Sequence, residues 1–237
     1  MLNPSDEKYL VNHPIVHKYR IKPDLLRFRW VRYIKDIFIN ERIVEVPFAL
    51  QALSGLSRDK KILDLGCGES ILPLQLAVLG YQVTGLDCRE YPYPHPNLCF
   101  VQGNILSLPF APESFDAVLS ISTLEHVGRG SYQDPVAEDG ADSQAVKEIE
   151  RVLVKNGLFI LTIPYGQAKV TPHQRIYDEE KLQQLLKFFE IEEKRYFVNF
   201  REKGRLNHWQ EMDIDRASCV EFVRYTDCVC LVKARRK

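Results

Sequence analysis

Residues 62–70 read ILDLGCGES, and this stretch decides the fold class. A short apolar run leads into two glycines that flank a cysteine, and Ser70 then precedes residues 71–79, whose apolar spacing predicts a helix. A strand, a glycine-rich turn and a helix together often bind a ligand, because glycine lets the backbone approach it and the first turn of the helix offers unpaired N–H groups. Ser70 is predicted to cap this helix.

The spacing of the glycines excludes two common nucleotide loops. A dinucleotide fingerprint requires a third glycine where this chain has Ile71, and a P-loop requires a Gly-Lys-Ser/Thr sequence that is absent here. Asp64 lies two residues before Gly66, and a carboxylate at that position favours a ligand with an ammonium group over a pyrophosphate.

Three later strand ends supply further polar groups. Asp87 ends the run YQVTGLD, where an acid is suited to the two hydroxyls of a ribose. Asn104 follows LCFVQG and can offer its amide oxygen to an adenine amino group. Ser120 lies near the end of FDAVLSIS, whose carbonyls are expected near an amino-acid arm. The four strand ends together predict S-adenosylmethionine as the ligand, since it joins adenosine to a methionine arm through a sulfonium.

The order of segments predicts an α/β fold with a Rossmann-like, mostly parallel sheet and helices on both faces. Strand-type runs at 189–200 and 226–234 follow the alternating part of the chain and suggest an antiparallel edge. Residues 1–55 are predicted to form an N-terminal arm and cap helices, one of which starts at Pro23. Residues 56–237 are predicted to form the main domain.

The ordered set ILDLGCG, VTGLD, GNILSLPF, FDAVLSISTLEHV and NGLFILTIP resembles the class I S-adenosylmethionine-dependent methyltransferases. The nearest branch modifies quinones, sugars and natural products. The resemblance implies a seven-stranded sheet whose last strand is reversed. The chain departs from the family where it has Asn104 in place of a frequent aspartate and Ser70 in place of a frequent glycine. The resemblance implies a methionine-arm site at Asp64, Gly66, Cys67 and Gly68, a ribose site at Asp87, and an adenine site near Cys88, Asn104 and Ile105.

His126 is the candidate catalytic residue. It follows the fourth strand in STLEHVG and is expected near the methyl group. A histidine there can act as a general base toward a hydroxyl. The alternative is that His126 only packs over the cofactor pocket.

The segment after the fifth strand holds candidate acceptor-binding residues. His173, Arg175 and Tyr177 are predicted to contact a polar or anionic acceptor, because this family places substrate-facing loops there. The alternative is that Asp178 only caps a helix and Arg175 pairs with acids of the 128–142 loop.

Composition limits the partners of the chain. The 32 Lys and Arg residues balance the 32 Asp and Glu residues, so nucleic acid is not expected as a partner. No apolar run reaches the roughly 18 residues of a membrane span, and the N-terminus lacks an apolar signal core, which predicts a cytoplasmic protein. The six cysteines form no C-x-x-C pair, which predicts buried free thiols and no metal site.

The predicted function is methyl transfer from S-adenosylmethionine to a small hydroxylated acceptor, with a sugar of a glycan or of a lipid-linked precursor as one candidate. Two alternatives stay open: a protein or RNA methyltransferase on the same fold, and a non-catalytic subunit that binds S-adenosylmethionine. The sequence does not predict the oligomeric state.

Overall fold

The computed structural model describes residues 39–68, 70–130, 140–200, 207–222 and 226–237. The predicted helix at Pro23 and residue Glu69 lie outside the described residues. The described elements are α1 (Arg42–Leu53), β1 (Lys61–Leu65), α2 (Leu72–Val78), β2 (Gln82–Asp87), β3 (Leu98–Gln102), β4 (Phe115–Ile121), a 3-10 turn (Leu124–His126), α3 (Ala141–Val152), β5 (Leu153–Pro164), β6 (Lys169–Val170), β7 (Arg175–Ile176), α4 (Glu179–Leu185), β8 (Phe189–Phe200), β9 (His208–Met212), α5 (Ile214–Ser218) and β10 (Cys228–Arg236).

A mixed sheet holds eight of the described strands, in the order β3-β2-β1-β4-β5-β10-β8-β9. Strands β1 to β5 pair in parallel, and β10 runs antiparallel to both of its neighbours. The reversed last strand is therefore confirmed, but it lies inside the sheet. The edge is instead β9, an additional strand antiparallel to β8. No pattern in the sequence indicated β9, because HWQEM is mostly polar and its residues stay partly or fully exposed.

Apolar side chains cover both faces of this sheet. Phe48 of α1 and Leu119 of β4 belong to one buried cluster, which also contains the inner face of α2. Ile149 of α3 and Val118 of β4 belong to the other. Neighbours on β4 thus point to opposite faces, as the two-residue period of a strand requires. Helices on both faces are confirmed, and α1 shares a core with the sheet. No helix in the described ranges is long and apolar enough to cross a membrane.

The starts of two helices test the predicted caps. Helix α2 has Ile71 at its N-cap position, so the cap predicted at Ser70 is one residue early. The N–H of Ser70 bonds the carbonyl of Cys67, so the glycine turn extends through this residue, and its hydroxyl accepts the Leu72 N–H at 3.1 Å. Asp178 caps α4 as predicted, because its carboxylate accepts a backbone N–H of the first turn at 2.9 Å.

The cysteines are free thiols, and the prediction that they are buried holds for half of them. Those in the strand β10 and in the glycine turn are enclosed by the core, whereas the others follow strands or lie at the surface. The buried thiols are Cys67, Cys228 and Cys230, the partly exposed one is Cys88, and the exposed ones are Cys99 and Cys219.

The hydroxyl of Tyr81 ties α1 to the strand layer and provides a test of this packing. It is 1% exposed and donates a hydrogen bond to the carbonyl of Leu53 at 2.7 Å. Tyr81→Phe is expected to lower the free energy of unfolding by about 1 kcal/mol, the net value of one such bond. Urea unfolding measures this, with Tyr93→Phe as control, since no described hydrogen bond uses the Tyr93 hydroxyl. Equal losses in the two variants would contradict the role of Tyr81.

Candidate active site

A large cavity lies where strands β1 to β4 end, which is where ligands bind in open parallel sheets. The space inside it, including its open mouth, is about 840 Å³. The cavity is lined by Arg42, Gly66, Leu86, Asp87, Cys88, Arg89, Gly103, Asn104, Ile105, Leu106, Ser122, Thr123, His126, Val127 and Gly128.

Gly66 and Gly68 leave room for two side chains of the protein itself. Gly66 has a φ of +73°, and a Cβ atom there would lie 2.4 Å from the side chain of Thr123. A Cβ atom on Gly68 would lie 2.8 Å from the carboxylate of Asp87. The sequence pattern alone predicted that both glycines allow the backbone to approach a ligand. The structure adds an internal reason, because larger residues would push Thr123 and Asp87 away from the turn.

Asp87 is held firmly at the cavity wall. Its carboxylate accepts the Gly68 N–H at 2.7 Å through one oxygen. The other oxygen accepts the backbone N–H of Arg89 at 2.9 Å and its Nε–H at 3.3 Å. The predicted ribose-binding acid therefore lies in the cavity at a fixed position. The sequence did not predict that Arg89 would contribute to this position.

Four of the predicted cofactor residues are not among those that line the cavity, namely Asp64, Cys67, Gly68 and Ser120. Asp64 is 2% exposed and Ser120 is fully buried, since both lie in central strands that have a neighbour on each side. The sulfur of Cys67 packs over Gly85 of β2, and burial raises the pKa of this thiol. Side-chain contact between Cys67 and a cofactor does not fit this geometry. The prediction for Ser120 concerned backbone carbonyls at the strand end, and it stays a prediction. Beyond β1 and β4 the chain lines the cavity instead at Gly66, Ser122 and Thr123.

Cys88, Asn104 and Ile105 line the cavity as predicted. The amide oxygen of Asn104 accepts the backbone N–H of Leu106 at 2.9 Å and so stabilises its own turn. A bond from an adenine amino group would use the second lone pair of that oxygen. The three residues predicted for the adenine site thus line one cavity, and Asn104 also stabilises the backbone there.

His126 also lines the cavity, at the end of the 3-10 turn after β4. Its Nδ1 lies 2.6 Å from the backbone carbonyl oxygen of His173, and its Nε2 lies 3.8 Å from Oε1 of Glu125. The contribution of His173 is thus a carbonyl group, and its own side chain is exposed. The structure brings the two predicted histidines together, but through a different atom than expected.

Arg175 and Tyr177 face the protein interior. They are 8% and 2% exposed. Arg175 donates to the carbonyl of Val127 at 2.7 Å and lies 3.7 Å from the carboxylate of Asp142. The Tyr177 hydroxyl donates to the same carboxylate at 2.9 Å, and burial, with that carboxylate, raises its pKa well above the usual value. Direct contact with an acceptor does not fit this burial, whereas the alternative pairing of Arg175 with an acid of the 128–142 loop is confirmed.

An ion pair that the sequence reasoning missed, with Glu45 buried and Arg42 partly exposed, ties α1 to the end of β4. Arg42 donates to a carboxylate oxygen of Glu45 at 3.0 Å and to the carbonyl of Ile121 at 2.8 Å. The hydroxyl of Ser122 donates to the other oxygen of Glu45 at 2.6 Å. The available signal was the opposite-charge pair three residues apart on one helix, which usually marks a solvated face. Here the pair brings a guanidinium into the cavity wall.

Glu125 is a second buried acid beside this pair. It is 1% exposed, and among the described residues its Oε2 has no hydrogen-bond partner. Burial, with a smaller contribution from Glu45, raises the pKa of this carboxyl well above its usual value. Glu125 is therefore expected to hold a proton at pH values where an exposed glutamate is ionised.

Glu125→Gln tests this burial. Between the ordinary glutamate pKa of about 4.3 and the raised pKa of the folded state, the folded protein binds more protons at this site than the unfolded chain. The free energy of unfolding should therefore fall as the pH rises through that window, and the variant should lose this part of the fall. Urea unfolding at pH about 5 and about 8 measures the difference.

Glu221→Gln is the matched control, since Glu221 is exposed and its variant should keep the wild-type pH dependence. The same pH dependence in wild type and in Glu125→Gln would contradict a raised pKa at Glu125.

Residues 63–161 match the family model described as a methyltransferase domain. The match starts in β1, includes the cavity-lining turns after β1 to β4, and ends in β5. The chain carries a class I S-adenosylmethionine-dependent methyltransferase domain. The predicted family is thus confirmed, and S-adenosylmethionine is the cofactor of this domain.

Known methyltransferases resemble the chain over part of its length. Sterol 24-C-methyltransferase of Pneumocystis carinii is 25% identical over 161 residues, which cover 60% of this chain and 40% of that protein. Ubiquinone biosynthesis O-methyltransferase of Mesorhizobium japonicum is 34% identical over 114 residues, which cover 44% of each protein. The chain thus spans less than half of the length of these two relatives.

Solved structures resemble the fold, and one of them was determined with a ligand and a cofactor product. The 1,6-didemethyltoxoflavin-N1-methyltransferase of Burkholderia thailandensis, solved with 1,6-didemethyltoxoflavin and S-adenosylhomocysteine, has a TM-score of 0.60 and 16% sequence identity. The likeness covers 100% of this chain and 92% of that one. At this level of identity it shows a common fold, in agreement with the Rossmann-like sheet.

Proposed function

We propose that the protein transfers a methyl group from S-adenosylmethionine to a hydroxyl of a small acceptor molecule. The supporting observation is that one cavity contains both groups suited to this cofactor and a histidine, His126, at its wall. When bound, the cofactor supplies a methyl group already activated by the sulfonium. The protein must then bind the cofactor and the acceptor, orient them, and accept the proton of the acceptor hydroxyl.

The cavity suits the separate parts of the cofactor. The fixed carboxylate of Asp87 matches the two ribose hydroxyls. Leu86 and Ile105 provide apolar wall for the adenine ring. The guanidinium of Arg42 provides a positive charge for the methionine carboxylate, since Arg binds carboxylates through several N–H groups. Among the described residues, only its Nη1 has acceptors, so the N–H groups on Nε and Nη2 are the ones available to a ligand.

His126 is the proposed general base. It lies at the cavity wall on the segment that follows β4, beside the backbone that faces the cofactor arm. A base in that position takes the proton of an acceptor hydroxyl as the oxygen becomes a nucleophile, which typically contributes about 10²–10⁴-fold in rate. The packing alternative for His126 predicts no such contribution.

The cavity residues indicate the cofactor more clearly than they indicate the acceptor. The preference for a sugar rested partly on Arg175 and Tyr177, and their inward bonds remove that support. The three similar enzymes are named for methylation of carbon, oxygen and nitrogen atoms respectively. We therefore propose the hydroxyl from the position of His126, supported by the oxygen-directed relative, and leave the carbon skeleton of the acceptor undefined.

Asp87→Asn tests the cofactor site. The variant keeps the size of the side chain but loses the charge that strengthens hydrogen bonds to ribose, so affinity for S-adenosylhomocysteine should fall about tenfold or more. Calorimetric titration measures it. Asp116→Asn is the control, because Asp116 also accepts a backbone N–H, at 2.9 Å from Lys61, but lies at the opposite end of the strands. Absence of binding by the wild type would contradict the proposed function altogether.

His126→Gln tests the proposed base. Turnover should fall by about 10²-fold or more while affinity for S-adenosylhomocysteine changes little, because the side chain acts on the acceptor's proton. Transfer of labelled methyl from S-adenosylmethionine is measured with a panel of a catechol, a quinol and a methyl glycoside, beside protein and RNA fractions. Unchanged turnover would remove His126 as base, and label in RNA or protein would overturn the proposed acceptor class.

A further inference from the structure

Three side-chain bonds join the hairpin of β6 and β7 to the cavity segment around His126. His126 bonds the carbonyl of His173 with an Nδ1–O distance of 2.6 Å. Arg129 donates to the carbonyl of Thr171 at 2.5 Å, and Arg175 donates to the carbonyl of Val127 at 2.7 Å. The cavity segment donates to carbonyls of the hairpin, and the hairpin donates to a carbonyl of the cavity segment. A shift of either segment would therefore break at least one of these bonds.

The turn that carries the His173 carbonyl is itself fixed by Thr171. The Thr171 hydroxyl accepts the backbone N–H of Gln174 at 3.0 Å and that of His173 at 3.3 Å. It donates to the carbonyl of Gln174 at 2.9 Å. A hydroxyl that closes a turn in this way stabilises one backbone conformation. The carbonyl of His173 is thereby held toward the imidazole.

Arg175 holds the segment around His126 from the interior of the protein. Its guanidinium is buried and lies within 3.7 Å of Asp142 at the start of α3. It also lies 3.5 Å from the carbonyl of Glu125 and 2.7 Å from that of Val127. The residue therefore connects α3, the hairpin and the two peptide units that flank His126.

The chemistry of this contact selects one form of the ring. A carbonyl oxygen only accepts hydrogen bonds, so the Nδ1 atom of His126 must carry the proton that it shares with His173. In the neutral ring Nε2 then has the lone pair. The hydrogen bond made by one ring nitrogen sets the protonation of the other.

We infer that Arg175 and the 171–174 turn are a positioning device that fixes His126 in the tautomer with hydrogen on Nδ1, so that Nε2 is the atom that accepts a proton. The use of that atom in catalysis rests on the proposed function. In the step, the O–H bond of the acceptor would break and an N–H bond would form at Nε2. The oxygen would use the electron pair of the broken O–H bond for its new bond to the methyl carbon, while the bond between that carbon and the sulfonium sulfur would break and leave its electron pair on sulfur. The imidazolium keeps its bond to His173 and later releases the Nε2 proton to water.

Nitrogen-15 NMR of the histidine rings tests the inference without any acceptor. The protein is labelled at its six histidines, and His126 is assigned by the signals that are lost in His126→Gln. Spectra are recorded at pH about 8, where an ordinary histidine is neutral, with S-adenosylhomocysteine present. In wild type, Nδ1 of His126 should show the shift of a protonated ring nitrogen, with the tautomer favoured roughly tenfold or more by its hydrogen bond. A proton on Nε2 would overturn the inference.

Variants test the positioning role. Arg175→Met and Thr171→Val should each produce a mixture of tautomers at His126, and Arg175→Lys should restore part of the wild-type signal. Arg195→Met is the control, since Arg195 makes an exposed pair with Glu211 on the β8–β9 edge. If Arg175→Met fails to fold, Thr171→Val decides, because Thr171 is more exposed and its change removes only the turn. An unchanged tautomer in the folded variants would overturn the role of Arg175 and the turn.

The NMR experiment tests the tautomer of His126, and the transfer assay tests the proposed function, so each can be contradicted without the other. A wild type with the proton on Nδ1 but no methyl transfer to any hydroxyl would overturn the proposed function and keep the tautomer. Transfer to a hydroxyl with a proton on Nε2 would keep the function and overturn this inference.

Discussion

The close approach of the turn after β1 to the segment after β4 is the constraint on which the cavity depends. It exists because Gly66 has no side chain and adopts a backbone conformation, with φ of +73°, that other residues rarely reach. Thr123 fills the place that a Cβ atom would take, and its hydroxyl bonds the carbonyls of Leu65 and Ile121 at 3.2 and 3.1 Å. The ends of two central strands are thus joined through one small side chain. The segment that carries His126 starts from this junction.

The ion pair of Arg42 and Glu45 lies next to the cavity. Arg42 and Glu45 compensate each other inside the protein, and the bonds from Arg42 to Ile121 and from Ser122 to Glu45 satisfy the remaining groups. A largely buried pair of this kind contributes little net stability but is costly to break, since one charge would stay behind unpaired. Its effect is therefore to fix where α1 meets the end of β4. Among the described residues, Oε2 of the adjacent Glu125 has no hydrogen-bond partner, and burial raises the pKa of this carboxyl well above its usual value.

The sequence predicted what depends on local pattern. Alternating strand and helix segments and the turn around Gly68 were enough for the sheet, the helices on both faces and the place of Asp87 at the cavity. The direction of side chains was not available from the pattern, so Cys67 was expected at the ligand although its sulfur packs over Gly85. Arg42 was missed because its contact with Ile121 joins residues 79 positions apart, and such a contact leaves no trace in local spacing.

Arg175 shows most clearly why the acceptor side was harder to predict than the cofactor side. The cofactor side uses glycines and acids at strand ends, whose residue types indicate their chemistry. On the acceptor side, a charged residue beside the site was expected to meet the substrate, yet it satisfies a backbone carbonyl and Asp142. The group that contacts His126 is a carbonyl of His173, and every residue type has one. Since the controlling contact is a backbone atom, its position is set by the fold of the hairpin, and residue identity could not reveal it.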